Sequence, residues 1–285
     1  MEQNIGEFLR TRRARIQPED VGLIGYGRRR VPGLRREELA QLAGVSFDYY
    51  VRLEQGRSPS VSEAVLDAVS RALRLDETER AHLRNLVRPV ARARRAPAAQ
   101  RVRPEIRRLL AMMDSVPAFV LGRRGTVLAW NALGDAVYGF EALAPAERNM
   151  TRLVFRSPSA TEFYPQWDTV AAETVGFLHL EAGRYPDDPQ LAALVGDLSL
   201  HSDRFRTLWA RQDVYDKSHG PKIINHPVVG LLEMNYESFA APGDTDQLLI
   251  TYLAEADSPT EDRLRLLASW HADHPETETT SDQRA

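Results

Sequence analysis

The stretch LAQLAGVSFDYYVRLEQGR, residues 39–57, contains side chains that are expected to face outward. Several of them are of types that can read the edges of DNA bases. An arginine such as Arg52 can donate two parallel hydrogen bonds to the O6 and N7 atoms of guanine. A carboxylate such as Asp48 can accept from the amino group of cytosine, and the ring of Phe47 can contact a thymine methyl group. Their spacing places these side chains on one face of a short helix.

Two short helices must hold this face in place. Gly44 marks the turn between them, because glycine adopts a left-handed backbone without strain at Cβ. Ser46 is placed to cap the second helix. Helices shorter than about 12 residues are marginal alone, so this pair must pack against flanking helices. The side chains expected to face inward are Leu39, Ala40, Ala43, Val45, Tyr50 and Leu53. This arrangement predicts a helix-turn-helix.

In a helix-turn-helix, the second helix enters the major groove of DNA. We expect Arg52 to read a base, and Asp48 either to contact DNA or to orient Arg52 four residues away. Arg36 and Arg57 are placed to contact phosphates. The predicted DNA-binding residues are Arg36, Ser46, Phe47, Asp48, Tyr49, Val51, Arg52 and Arg57. The alternatives are that the helix pair is only structural, or that its exposed arginines touch only phosphate.

The charge of the chain is unevenly distributed. The net charge of −3 over 285 residues combines +8 in residues 1–103 with −11 in the remainder. A basic first part suggests a nucleic-acid-binding module joined to a second domain. The chain has no cysteine, which excludes disulfides and thiolate chemistry. No apolar run is long enough to span a membrane, so we expect a cytoplasmic protein without a membrane partner.

Residues 1–88 predict an all-α domain of five helices. The first is expected over 5–16, and two later helices have the spacing of capping boxes, Ser60 with Glu63 and Asp76 with Glu79. Residues 89–103, PVARARRAPAAQRVR, are rich in arginine and lack periodicity, which predicts a basic linker.

Residues 104–271 predict an α+β domain with one antiparallel sheet. The segment PAFVLGRRGTVLAWN reads as two strands joined by a turn, and helices follow from Pro165 onward. Three further strands are expected at 222–225, 231–239 and 246–254, and a last helix at 260–270. The polar tail, 272–285, is predicted to be disordered.

Aromatic residues of this second domain are candidates for a ligand pocket. They are Trp130, Phe163, Tyr164, Trp167, Trp209 and Tyr236. The alternative for each is a place in the core, where aromatic side chains at helical or strand spacing usually lie. Arg204, Arg211 and His226 could hold a carboxylate, although a surface position would also explain them.

Residue patterns that would indicate an enzyme are missing from the sequence. It contains no GxSxG, no Walker-type phosphate loop, no HExxH and no GxGxxG followed by an acid. His271 and His274 form an HxxH without a third nearby ligand. We therefore predict no catalytic residue, no metal site and no enzymatic activity.

The segment LRREELAQLAGVSFDYYVRLEQGRSPSVSEAVLDAVSRALRLDETERAHL resembles the Cro/C1-type helix-turn-helix domain of the XRE family. The segments PAFVLGRRGTVLAWN, ERNMTRLVF, LVGDLSLHSDRFRTLWARQDV, HPVVGLLEMNYESF and PGDTDQLLITYLAEADSP resemble the MmyB-like ligand-binding domain of actinobacterial transcription regulators. This resemblance implies a dimeric regulator with a PAS-like C-terminal domain that holds a fatty acid or similar lipid. The chain has Gly125, Gln212 and Leu248 where the family usually has Trp, His and a basic residue.

The sequence thus predicts a ligand-responsive transcription regulator. Its expected partners are a double-stranded DNA operator, a small apolar ligand and a second copy of the chain, and no cofactor is expected. One alternative is a constitutive regulator whose C-terminal domain only dimerises or binds a protein. The other is an enzyme that turns over a small molecule.

Overall fold

The computed structural model describes residues 5–23, 31–58, 60–87, 100–241 and 243–273. These residues form two compact units. The first combines the N-terminal helices with residues 175–216, and the second combines the described parts of 98–174 and 217–285. The predicted linker lies outside the described residues up to residue 99, and so does the predicted disordered tail from His274 onward. The predicted domain boundaries stay a prediction.

The N-terminal part contains the five predicted helices. They are α1 (Ile5–Arg15), α2 (Arg36–Leu42), α3 (Phe47–Glu54), α4 (Glu63–Ala72) and α5 (Glu77–Val87). Their apolar faces meet in one core whose fully buried side chains include Phe8, Leu9, Leu34, Leu39, Tyr50, Leu53, Leu66 and Val69. Short helices of this kind are stabilised mainly by such burial.

The helix caps confirm one sequence prediction and correct another. The backbone N–H of Glu79 donates to Oδ1 of Asp76 at 2.8 Å, and the N–H of Asp76 donates to Oε2 of Glu79 at 3.2 Å. The predicted capping box of α5 is therefore present. The prediction that Ser60 begins α4 is wrong, because the side chain of Ser62 accepts from Val65 N.

Eight helices follow in the described residues after 100. They are α6 (Pro104–Ala111), α7 (Ala132–Tyr138), α8 (Met150–Arg156), α9 (Ala160–Phe163), α10 (Trp167–Arg184), α11 (Pro189–His201), α12 (Asp203–Trp209) and α13 (Pro259–Asp273). The second unit contains α10 up to Thr174, and the first unit contains the rest of α10 with α11 and α12. Helix α12 is capped by Ser202, whose Oγ accepts from Phe205 N at 3.1 Å.

The second unit contains one five-stranded antiparallel sheet, as predicted. Its strands are β1 (Ala118–Leu121), β2 (Val127–Trp130), β3 (His219–His226), β4 (Gly230–Ala241) and β5 (Asp244–Ala254), in the order β2-β1-β5-β4-β3. The α+β fold of this part of the chain is therefore confirmed.

The two faces of the sheet differ in what covers them. Alternating strand residues point to the same face. Tyr236 of β4 pairs with Tyr252 of β5, and Met234, two positions before Tyr236, pairs with Lys222 of β3. These four side chains therefore lie on the same face of the sheet, which we call the inner face. On the opposite face, side chains near β1 and β2 pack in a smaller cluster with residues before and within α6. That cluster contains Val102, Leu110, Ala118, Val120 and Ala129.

Candidate DNA-binding face and ligand site

Helix α3 presents one exposed face and buries the other. Ser46 Oγ accepts from Tyr49 N at 3.2 Å and caps the helix, and Gly44 has φ of +65°, as the predicted turn requires. Phe47 is 51% exposed, and Asp48 and Arg52 are also exposed. On the opposite side, the predicted inward residues Tyr50 and Leu53 are buried. Tyr49 and Val51 lie half-buried at the edges of the exposed face.

Arg52 and Arg57 lie near the C-terminal end of this face. The guanidinium carbon of Arg52 lies 6.0 Å from the ring centroid of Tyr49, which favours one direction for the arginine through a cation–π interaction. Arg57 is exposed, and its backbone N–H donates to the carbonyl of Arg52 at 2.9 Å. Both guanidinium groups are thus on the surface, as contacts with DNA would require.

Arg36 has an intramolecular partner that the sequence did not reveal. Its Nε and Nη2 donate to Oε1 of Glu54 at 2.9 and 2.8 Å. Glu54 is 5% exposed, and Nη2 of Arg13 lies 3.7 Å from the same oxygen. Because a buried carboxylate is unfavourable without a countercharge, Arg36 stabilises the helix pair. About half of the Arg36 side chain is exposed, which leaves surface for a phosphate contact.

The second unit contains a cavity of about 100 Å³ with aromatic walls. The residues lining it are Tyr138, Leu153, Ser157, Ser159, Ala160, Phe163 and Tyr164. Two predicted ligand residues, Phe163 and Tyr164, therefore line one cavity. Tyr138 was not predicted, because the sequence places it at the end of a short helix without any pattern that marks it.

Phenol groups cluster beside this cavity. The ring centroids of Tyr138 and Tyr252 are 5.9 Å apart, and the hydroxyl of Tyr138 is buried. Burial raises the pKa of Tyr138 and Tyr164 well above the usual value, and that of Tyr252 to about 12. The three hydroxyls are therefore neutral near pH 7 and can each donate a hydrogen bond.

The two lysines of the sequence are found together in this unit. Lys222 on β3 is 5% exposed, and its Nζ lies 4.0 Å from Oε2 of Glu173 on α10. The same Nζ is 5.8 Å from the ring centroid of Tyr164 and 5.9 Å from that of Tyr236. Burial, and then the charge of Lys222, lower the pKa of the half-buried Lys217 to about 7. Sequence reasoning missed this cluster, since its members come from separate elements.

The other predicted ligand residues have different surroundings. The ring of Trp130 lies below the guanidinium of Arg148, whose central carbon is 5.0 Å from the ring centroid. Nε1 of Trp167 donates to the carbonyl oxygen of Val154 at 2.9 Å. Trp209 belongs to the first unit, where its ring stacks on His179 with centroids 3.8 Å apart.

The three residues considered for a carboxylate also fall in different places. Arg204 and Arg211 belong to the first unit. His226 lies on β3, and its Nε2 is 3.0 Å from the carbonyl oxygen of Ala136.

The exposed face of α3, on a buried helix pair, defines a DNA-binding domain of the helix-turn-helix class. In agreement, residues 4–83 match the family model described as a helix-turn-helix domain. Residues 102–267 match the model described as the MmyB-like transcription regulator ligand binding domain. Since this second match covers more than half of the chain, the protein belongs to the family of MmyB-like transcription regulators. A search among curated proteins found no match.

This membership confirms the family predicted from the sequence, and the protein is a DNA-binding transcription regulator with a domain for a small-molecule ligand. Among the described residues, no helix has both the length and the apolar character needed to cross a bilayer.

Proposed function

We propose that this regulator binds its operator as a homodimer and that a fatty-acid-like molecule in the second unit changes its affinity for DNA. The observation that carries the ligand proposal is the cavity between Tyr138, Phe163 and Tyr164. Apolar pockets with a few convergent polar groups are the usual form of small-molecule sites. We also propose that the protein acts in the cytoplasm, where its DNA is.

Two features support the dimer. Helix-turn-helix dimers bind two half-sites one helical turn of DNA apart, because a single short helix reads few bases. In addition, apolar side chains are exposed on α6 and directly after it, with Leu109 43% and Met112 71% exposed, and a second copy could cover them. Light scattering on the full-length protein tests this proposal, and a monomer at micromolar concentration would refute it.

A ligand can shift DNA affinity only by binding the DNA-competent and incompetent states with different affinities. Helix α10 connects the two units in the sequence: it carries Glu173 in the second unit and His179 in the first. We propose that a ligand-induced change at Glu173 is transmitted along this helix. The direction of the effect on DNA binding is left to experiment.

The test is to denature the full-length protein, extract it with organic solvent and identify the released molecule by mass spectrometry. An unrelated DNA-binding protein purified from the same host is the control. A stoichiometric lipid seen only with the regulator supports the proposal. Its return to stripped protein should then change the affinity for the operator. A molecule that binds without changing DNA affinity would contradict the sensor function.

The second candidate function is a constitutive regulator whose C-terminal domain only dimerises. The small size of the cavity, about 100 Å³, favours this alternative, since sites for drug-sized ligands usually occupy about 300 Å³ or more. Extraction that yields nothing above the control, together with unchanged DNA affinity in the presence of added acids and alcohols, would support it.

A further inference from the structure

Strand β4 presents an exposed row of side chains on the face of the sheet opposite to the inner face, which we call the outer face. The row consists of alternating residues of the strand, which are Leu231, Glu233, Asn235, Glu237 and Phe239. All five are exposed, and the apolar ends, Leu231 and Phe239, are 39% and 54% exposed. On β5, Leu253 pairs with Asn235 and is 45% exposed. We call these six residues the β4 patch. Large apolar side chains gathered on one exposed face are typical of an interaction site.

Helix α6 covers the other half of the outer face within the same copy. Its Leu110 belongs to one buried cluster with Ala118 and Val120 of β1. Strand β5 joins the two halves, since Thr251 pairs with Ala118 on one side and with Glu237 on the other. The β4 row is about 27 Å long and α6 about 12 Å, so the open half of the face has room for a second helix of this size.

The surface of α6 and its flanking residues has the groups that would complement the β4 patch. Leu109 is 43% exposed, and Met112, directly after the helix, is 71% exposed. Residues 101–112 also contain five exposed charged side chains, four of them basic. They are Arg101, Arg103, Glu105, Arg107 and Arg108. The β4 row contains two acids and no basic residue. Both surfaces therefore expose apolar side chains, and their charges are opposite in sign, as complementary interfaces require.

The two surfaces belong to the same chain, so a second copy can satisfy both of them at once. In a two-fold dimer, each contact between α6 of one copy and the β4 patch of its partner occurs twice. The C-terminal residues 274–285 are a less suitable partner for the patch. They contain three acids and one arginine, and would meet Glu233 and Glu237 with charge of the same sign.

We propose that two copies of the chain associate through the outer faces of their sheets, with α6 of each copy packed on the β4 patch of the other. This inference rests on the proposed homodimer and assigns the surface that forms it. The exposed apolar side chains of α6 are then buried against those of the patch, and its arginines lie near Glu233 and Glu237. Both halves of each outer face are covered by a helix, one from each copy.

Charge reversal on the full-length protein tests the pairing of the two surfaces. Sedimentation velocity measures the dimer dissociation constant of the unsubstituted protein and of two double variants, Glu233→Arg/Glu237→Arg and Arg107→Glu/Arg108→Glu. Each double variant should raise that constant at least about tenfold, because like charges then face each other. Combining all four substitutions should restore the dimer, since opposite charges meet again.

The control for charge reversal is Glu141→Arg/Glu162→Arg, which changes two exposed acids outside the β4 patch and α6. It should leave the dissociation constant unchanged. Because all substituted side chains are exposed, each variant should keep the melting temperature of the unsubstituted protein. A dissociation constant that neither surface variant changes would overturn the inference. A combined variant that stays monomeric would overturn it as well.

The absence of cysteine from the chain allows a second test by disulfide formation. Chains of two lengths would be mixed, one with Met112→Cys and the other with Leu231→Cys, Asn235→Cys or Phe239→Cys. At least one mixed pair should form an interchain disulfide, detected by nonreducing electrophoresis, in higher yield than Met112→Cys with Glu162→Cys. Yields no higher than that control at all three positions would contradict the proposed contact.

The inference and the proposed function can fail separately. If both surface variants remain dimers of unchanged affinity, the homodimer stands and the interface is wrong. If the unsubstituted protein is a monomer, the homodimer and the interface are both wrong. The effect of an extracted molecule on DNA affinity is a separate measurement, so either result leaves the test of the sensor function intact.

Discussion

Arg12 on α1 donates a hydrogen bond from Nη2 to the backbone carbonyl oxygen of Gln212 at 2.6 Å, although the two residues are 200 positions apart. Arg12 is 2% exposed, and its Nε lies 2.7 Å from Oε1 of Glu79 on α5. Gln212 has φ of +55°, an unusual conformation for a residue other than glycine. This contact joins the N-terminal helices to the turn after α12 within the first unit.

Replacing Arg12 by lysine should destabilise the first unit. A lysine carries one point charge and cannot pair with Glu79 and Gln212 in the same forked geometry. We expect Arg12→Lys to lower the free energy of unfolding by about 2–4 kcal/mol, measured by urea denaturation. The control is Arg15→Lys, because Arg15 is half-exposed and pairs with Glu79 and Asp213 at the surface. That variant should cost less than about 1 kcal/mol. Equal losses would contradict the special role of Arg12.

Replacing Arg52 by alanine should weaken specific DNA binding. Arg52 is exposed on α3 and oriented by the ring of Tyr49. Loss of a bidentate contact with guanine should cost about 1–3 kcal/mol on the operator and relax the preference at one base position. Fluorescence anisotropy with the operator and with single-base variants measures both effects. A uniform loss on all sequences would mean that Arg52 contacts only phosphate.

Replacing Arg36 by alanine should affect both stability and DNA binding. Its two hydrogen bonds to the buried Glu54 predict a loss of about 1–3 kcal/mol in the free energy of unfolding. A phosphate contact predicts that the salt dependence of DNA affinity becomes less steep by about one unit.

Arg36→Ala/Glu54→Gln is the matched control, because it removes the charge that Arg36 neutralises. The double variant should regain part of the free energy of unfolding that Arg36→Ala loses. The salt dependence of its DNA affinity should stay as shallow as in Arg36→Ala. An unchanged salt slope in Arg36→Ala would refute the phosphate contact.

Acid should destabilise the first unit through two buried histidines. Burial lowers the pKa of His82 to about 3 and that of His179 to about 4. As the pH falls below about 6.5, the unfolded chain binds protons that the folded chain does not. The free energy of unfolding should therefore decrease by about 1.4 kcal/mol per pH unit for each histidine between about pH 6 and pH 4.

His82→Leu tests this account. Both ring nitrogens of His82 are buried without a hydrogen-bond partner in the described residues, so leucine should stabilise the unit at neutral pH. The variant should also reduce the slope of stability against pH by about half. Denaturation curves at several pH values provide the measurement. A slope that is the same in the variant and the unsubstituted protein would contradict the prediction.

Local patterns predicted much of the fold. The cap at Ser46, the capping box of Asp76 with Glu79 and the two strands around 123–125 all depend on residues within a few positions of one another. The error at Ser60 has a physical reason. Val61 is 1% exposed, so the chain stays extended to bury it, and the helix begins only after Ser62.

Long-range pairing limited the prediction of the cluster around Lys222. Glu173 lies on a helix and Lys222 on a strand 49 positions later, and no spacing rule connects the two. A lysine on a strand would otherwise be assigned to a solvent-facing position, because lysine is almost never fully buried without a partner. Trp209 has the helical spacing of a core residue, and its stacking on His179 depends on a second helix. Such sites require the three-dimensional structure.

The most direct test of the central claim is an in vitro selection with the full-length protein. Random-sequence DNA would be selected for binding and sequenced over several rounds. The account predicts enrichment of a motif with two related half-sites about one helical turn apart, because two copies of α3 must reach the major groove. Selected DNA without an enriched motif, from protein shown to be folded, would contradict a sequence-specific regulator.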